Sequence, residues 1–129
     1  MQLLKIYYAY FSPGNTTEKV VSHIASSFQN YPVESINLTD YATRQEDYYF
    51  KENELLIIGV PAYGGRVPAP VVDALRHFTG SNTPVVLVAT YGNRDIDDTL
   101  IELKKNIIDK GFIPVGAASF VCQHTFLKE

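Results

Sequence analysis

The sequence contains one cysteine, Cys122, one methionine and no tryptophan. A lone thiol excludes an intramolecular disulfide framework and any self-contained cysteine-ligated zinc or iron-sulfur centre within the chain. It fits a reducing, cytoplasmic setting. No apolar run reaches the roughly 18 to 20 residues of a membrane span, and the amino terminus enters a strand-like pattern instead of a signal peptide. Positive charge is scarce, with 11 Lys and Arg against 14 Asp and Glu and a net charge of −3. That balance argues against a nucleic-acid backbone or an anionic membrane as partner. Neither G-x-G-x-x-G nor G-x-x-x-x-G-K-[ST] occurs, so dinucleotide binding of the Rossmann kind and P-loop nucleotide hydrolysis lose support. Tyr8-Ala9-Tyr10-Phe11 closes the first apolar run without the acidic cluster that a Mg²⁺-dependent receiver needs there.

What is present is one compact domain's worth of core: 129 residues, 46% hydrophobic and 12% aromatic, read as a single domain over 1–129. Residues 2–10 form an apolar, aromatic-rich strand that ends at a Ser-Pro-Gly turn. From Thr16 to Phe28 the spacing of Val20, Val21, Ile24 and Phe28 marks an amphipathic helix. VESINL then alternates like a half-buried strand, and TDYATRQEDYYFKEN reads as a loop with one helical turn. ELLIIGV, residues 54–60, is a continuously apolar strand of the doubly covered, parallel type. A helix from Pro68 or Pro70 to Phe78 follows, with Val71, Val72, Leu75 and Phe78 inward and Gly80 as its stop. PVVLVAT is another buried strand. Asp95 to Lys110 is helical, with Ile96, Leu100, Leu103 and Ile107 inward and Gly111 at the C-cap. FIPVGAASFV, residues 112–121, is the last strand.

Strands alternating with helices in this order predict an α/β fold with a five-stranded parallel sheet wound on both faces. Eight residues follow the last strand, too few for the covering helix that such a fold places there. Apolar surface beside the first helix is therefore expected to stand exposed, which predicts a homodimer or a missing downstream segment.

In wound sheets the ligand sits at the carboxyl ends of the strands. Three loops leave that edge. The first, Ser12-Pro13-Gly14-Asn15-Thr16-Thr17, combines hydroxyls, a glycine and the free amides of a helix start, a setting suited to an anion. Asn15 followed by Glu18 is equally close to a capping box, which would satisfy the same amides without a ligand. The two readings compete, because a Glu18 carboxylate folded onto the Asn15 amide repels an anion; a bound phosphate requires Glu18 to face solvent. The second loop, Pro61-Ala62-Tyr63-Gly64-Gly65-Arg66, places an aromatic beside two glycines, which suits stacking on a planar ring and close backbone approach. The third, Thr90-Tyr91-Gly92-Asn93-Arg94, repeats the theme. Taken singly, a Gly-Gly turn, a tyrosine over a loop and an exposed arginine are ordinary structural features. His23, His77 and His124 show no metal-ligand spacing, and Cys122 reads as a packed strand-end thiol.

Together the motifs FSPGNTTEKV, GVPAYGGRVPAPVVDAL, TYGNRDIDDTLIELK and GFIPVGAASFVCQHTF resemble the flavodoxin family, and most narrowly the flavodoxin-like half of bacterial ferrodoxins, which are flavodoxin-ferredoxin fusion proteins. The resemblance covers nearly the whole chain. It implies an FMN-binding electron-transfer protein. Ser12, Pro13, Gly14, Asn15, Thr16 and Thr17 would hold the phosphate; Pro61, Ala62, Tyr63, Gly64 and Gly65 would flank the ring; and Thr90, Tyr91, Gly92, Asn93 and Arg94 would close it from the other loop. Where the family shows T/S-x-T-G-x-T, this chain has Ser12, Gly14, Asn15 and Thr17. The middle hydroxyl is lost, and Asn15, which tolerates a left-handed backbone, stands in place of glycine. The implied partner is a redox protein, either a ferredoxin-like domain or a flavin reductase, and the implied role is that of a carrier more than of an enzyme with its own substrate. An FMN-dependent NAD(P)H:quinone or nitro reductase, and a flavin-free interaction module on the same fold, are the alternatives.

Overall fold

The computed structural model describes residues 2–92 and 97–121. The main sheet has five parallel strands in the order β2-β1-β4-β6-β7, formed by β1 (Lys5–Tyr10), β2 (Val33–Asn37), β4 (Glu54–Pro61), β6 (Thr83–Tyr91) and β7 (Phe112–Val121). Among the described residues four helices complete the frame: α1 (Thr16–Ala25), the single-turn α2 (Tyr41–Arg44), α3 (Ala69–Leu75) and α4 (Asp97–Ile108). The crossover order puts β1 between β2 and β4, so the strand order reverses at β1 and the crevice of the switch point lies above it. No helix among the described residues is long and apolar enough to cross a membrane.

Both faces of the sheet are packed. On one, Leu56, Ile58 and Val60 of β4 and Val85 and Leu87 of β6 meet Val71 and Leu75 of α3 and Leu103 and Ile107 of α4. On the other, Ile6, Tyr10, Leu55, Ile57 and Val88 meet Val21 and Ala25 of α1. The unbroken buried run of β4 follows from this, since a strand covered on both sides has no polar face. On the α1 side, β6 and β7 are less covered: Val86 is only partly buried and Ile113 is 48% exposed.

Several sequence expectations shift. The strand expected over 2–10 begins at Lys5. The first helix stops at Ala25 and not at Phe28, because Ser27 and Phe28 donate to Ile24 and Ala25, three residues back, so the last turn tightens. The helix expected to reach Phe78 ends at Leu75. Phe78 instead belongs to a two-residue strand, β5 (Phe78–Thr79), paired in parallel with β3 (Tyr48–Tyr49). Phe78 is still buried, inside an aromatic group with Tyr48 and Phe50, and Phe50 in turn meets Phe112. Gly80 therefore does not stop a helix. It abuts Gly111: the Gly80 N–H donates to Lys110 O at 2.7 Å, and a Cβ on Gly80 would lie 2.7 Å from Gly111 O. The fourth helix is seen over Asp97–Ile108; Asp95 and Ile96 lie outside the described residues, as do Cys122 and His124.

Gly59 sets the height of α1 above the sheet. A Cβ there would collide with Val21 Cγ2 and come within 3.1 Å of Thr17 Cγ2. The collision involves a β-branched side chain stiff at χ1, so it can be relieved only by moving the helix. Gly59→Ala is expected to destabilise the fold by about 1–3 kcal/mol, as overpacking does. Denaturant titration checks this, and an unchanged midpoint would show that α1 is not held at this height.

Candidate functional site

The first loop leaves β1 through Phe11, whose N–H donates to Gly59 O, and Ser12, whose N–H donates to Thr39 Oγ1 at 2.8 Å. Asn15 is the N-cap residue of α1 and takes φ 69°, the left-handed conformation, while its side chain makes no cap hydrogen bond. The capping box is thus not formed. Ser12 does that work from six residues upstream, its Oγ accepting from Glu18 N–H at 2.9 Å. The Asn15 N–H is satisfied by Ser12 O. The Glu18 carboxylate acts on the Tyr10 hydroxyl, which burial first and this carboxylate second push above its ordinary pKa. Glu18 is half-buried and does not take the Asn15 N–H, which Ser12 O holds.

The consequence is a set of unsatisfied donors. Among the described residues, the backbone N–H groups of Gly14, Thr16 and Thr17 have no partner, and Gly14, Asn15 and Thr16 are exposed. A Cβ on Gly14 would meet nothing within 4 Å, so the space over the turn is open. These amides sit at the positive end of α1, where an anion is favoured. The side chain of Thr17 is not available in the same way. Thr17 as a whole residue is 2% exposed, main chain included, and its Oγ1 bonds Thr90 Oγ1 at 2.7 Å.

That hydroxyl pair joins the first loop to the third. Thr90, near the end of β6, also offers its carbonyl to Ala62 N–H at 2.8 Å, which joins the third loop to the second. Phe11 and Tyr63 close the remaining side in an edge contact, ring centroids 6.4 Å apart. The three loops are brought together as the sheet topology requires. Tyr63 remains 51% exposed, and Tyr91 is half-buried at the end of β6. Pro61 is the last residue of β4 and Ala62 follows it. Gly92 is exposed, and Asn93 and Arg94 lie outside the described residues.

The tip of the second loop is a tight turn. Tyr63 and Arg66 exchange both backbone hydrogen bonds at 3.0 Å, and Gly64 and Gly65 between them have φ 58° and 80°. Positive φ at both central positions is the type I′ hairpin geometry, which glycine adopts without steric cost. Arg66 is not free: its Nε and Nη2 donate to Glu102 Oε1 and Oε2 at 2.9 and 3.3 Å, and Val67 N–H donates to the same Oε1 at 3.0 Å. Arg44 is also engaged. Its Nη1 donates to the carbonyls of Leu38 and Thr39, and its guanidinium lies over the rings of Tyr41 and Phe11. His77 pairs with Asp47 far from the loops in sequence.

Thr39, Arg44 and Glu102 were not foreseen from sequence, and only Gly59, a lone glycine inside an apolar strand, carried a recognisable signal of close approach. Taken together, backbone donors at a helix start and a half-exposed tyrosine on a glycine turn accommodate an anionic group joined to a planar one, with the negative charge met by amides and helix dipole.

Two expectations follow. Asn15→Val, which must pay the left-handed strain, should destabilise by about 1–2 kcal/mol, whereas Asn15→Gly should leave the thermal midpoint nearly unchanged. Equal effects of both would contradict the left-handed conformation. The Arg66 guanidinium, then the Val67 N–H, holds the Glu102 carboxyl below its ordinary 4.5. A depressed carboxylate stabilises the folded state fully above the unfolded value, and that contribution is lost as pH falls through the lowered folded value. An NMR titration of the Glu102 carboxyl carbon should give a midpoint below 4.5, and a midpoint at or above it would mean that the pair is absent.

No protein-family model and no curated protein matches the sequence. Solved structures do match in shape. A flavodoxin from the domain Archaea superposes with TM-score 0.70 at 14% identity, covering 95% of this chain and 86% of its own. A flavoprotein from Lactobacillus acidophilus, solved in complex with FMN, gives TM-score 0.60 at 14% identity, covering 91% and 93%. A flavodiiron core from Synechocystis gives TM-score 0.63 at 18% identity over 93% of this chain, which spans only 30% of that larger chain. With the strand order β2-β1-β4-β6-β7, these likenesses establish that the chain has a flavodoxin-like α/β fold.

Proposed function

We propose that this chain binds FMN without a covalent link at the carboxyl edge of β1, β4 and β6 and serves as an electron carrier. The observation that carries the reading is the set of unpartnered amides of Gly14, Thr16 and Thr17 at the start of α1, beside a half-exposed Tyr63 on a glycine turn. A flavin monophosphate is an anion joined to a planar ring, and the flavoprotein from Lactobacillus acidophilus, which shares the fold, holds this group.

In this reading the Gly14, Thr16 and Thr17 amides receive the phosphate, and Ser12 holds the loop that presents them through its bond to Glu18 N–H. Thr90 fixes the distance between phosphate loop and ring loops by holding Thr17 with its hydroxyl and Ala62 with its carbonyl. Tyr63 and Tyr91 offer ring faces, and Gly64 and Gly65 let main chain approach the ring edge. FMN, when bound, supplies the redox chemistry. The protein's part is to bind it, orient it and shield one side from water. In this reading a protein redox partner exchanges electrons with the bound flavin.

Titration of the purified chain with FMN is expected to quench the flavin's fluorescence. Because charge-assisted hydrogen bonds contribute about 1.5–3 kcal/mol each, FMN should bind at least about 100-fold more tightly than riboflavin, which lacks the phosphate. Undiminished fluorescence at high protein excess would overturn the reading. Rapid NAD(P)H oxidation by the loaded protein alone would make it a reductase instead of a carrier.

A further inference from the structure

The Glu102 carboxylate lies outside the three loops, yet it makes three hydrogen bonds to the segment immediately after the Gly64-Gly65 turn. It is the only side chain among the described residues that the structure shows holding that segment's main chain from another element. Its side chain is 24% exposed, and its own backbone carbonyl accepts from Asn106 Nδ2, so the helix turn that carries it is itself tied down.

The geometry is specific. Oε1 receives both Arg66 Nε and Val67 N–H, so one oxygen fixes a side chain and the adjacent peptide together. Arg66 in turn exchanges both backbone bonds with Tyr63. A peptide held at Val67 and a guanidinium held at Arg66 leave the turn one orientation about its stem. Past Val67, which is buried against α3 and α4 residues in the core, the chain is anchored already. Without Glu102 the turn would be anchored at its two roots, Ala62 to Thr90 O and Val67 in the core, with only the edge contact of Tyr63 on Phe11 to restrain it between them. Two glycines at its tip supply no stiffness of their own.

We infer that Glu102 is a positioning residue for the ligand site: from α4 it latches the Tyr63-Gly64-Gly65-Arg66 turn in the orientation that presents Tyr63 to a bound planar ring. The inference rests on the flavin reading for the identity of that ring, but the latch itself does not. Because α4 follows the third loop in the chain, the same carboxylate ties the second loop to the element that starts where the third loop ends. The second loop is then held at Thr90 from β6 and at Glu102 from α4.

The test has two arms. In the ligand-free chain, amide hydrogen exchange at Arg66, whose N–H is bonded to Tyr63 O, should be about tenfold faster in Glu102→Ala than in the wild type. Glu102→Gln, which keeps an oxygen for Val67 N–H but loses the charge, should fall between. In the flavin arm, Glu102→Ala should weaken FMN binding about tenfold, Glu102→Gln should restore part of that loss, and the Arg66→Ala/Glu102→Ala pair should be no worse than the weaker single variant. Thermal midpoints somewhat below wild type are expected for Glu102→Ala, which loses the pair and leaves the Val67 N–H without its partner, with the fold retained throughout. Unchanged exchange in Glu102→Ala overturns the latch. Changed exchange with unchanged FMN affinity overturns its positioning role. A wild type that binds no FMN overturns the flavin reading instead, and the exchange arm still decides whether the latch exists.

Discussion

The architecture of the site depends on how closely α1 can approach the sheet, and that is decided by the missing Cβ of Gly59. With hydrogen at this position, Val21 sits directly over β4, and the first turn of α1 comes down far enough for the Thr17 hydroxyl to reach Thr90 on the neighbouring β6. Raise the helix by a methyl group and that bond lengthens, the loop before the helix shifts, and the unpartnered amides point elsewhere. A packing constraint in the apolar layer thus governs the aim of polar groups at the edge.

The site is organised with little side-chain charge. Among the described residues the nearby arginines are committed elsewhere, Arg66 to Glu102 and Arg44 to backbone carbonyls and aromatic faces. What faces the opening is main chain at a helix start. Peptide dipoles held by a helix do not reorganise when a charge arrives and do not titrate, so an anion is met by a field already in place. Asn15 makes this possible in the absence of glycine: by taking the left-handed conformation it turns the chain into the helix without using its side chain as a cap, which leaves the neighbouring amides unclaimed.

The main frame was legible because its signals are repetitive. The apolar run of residues 54–60 and the spacing of Leu100, Leu103 and Ile107 each repeat the same statement several times, and all appear as read. What escaped was carried by single contacts. A two-residue strand such as Phe78–Thr79 has no period, and an inward phenylalanine fits a helix face equally well. Asn15 and Glu18 have the spacing of a capping box, but Ser12, six residues from its partner, took the cap by a bond no local pattern encodes. Glu102 looks like any polar residue on an exposed helix face, and its value comes from Arg66 and Val67, which lie 36 and 35 residues away.

The Gly80 and Gly111 contact works at the opposite end of the molecule. There the main chain leaving β5 and the main chain leaving α4 touch backbone to backbone, with no room for a side chain on either. A joint made of main chain does not change with the identity of its neighbours in the way a packed side chain does. It gives the sheet a fixed base, so that substitutions in the loops at the far edge need not move the strands beneath them. The tolerance of the upper edge to variation is in this sense a property of its lower one.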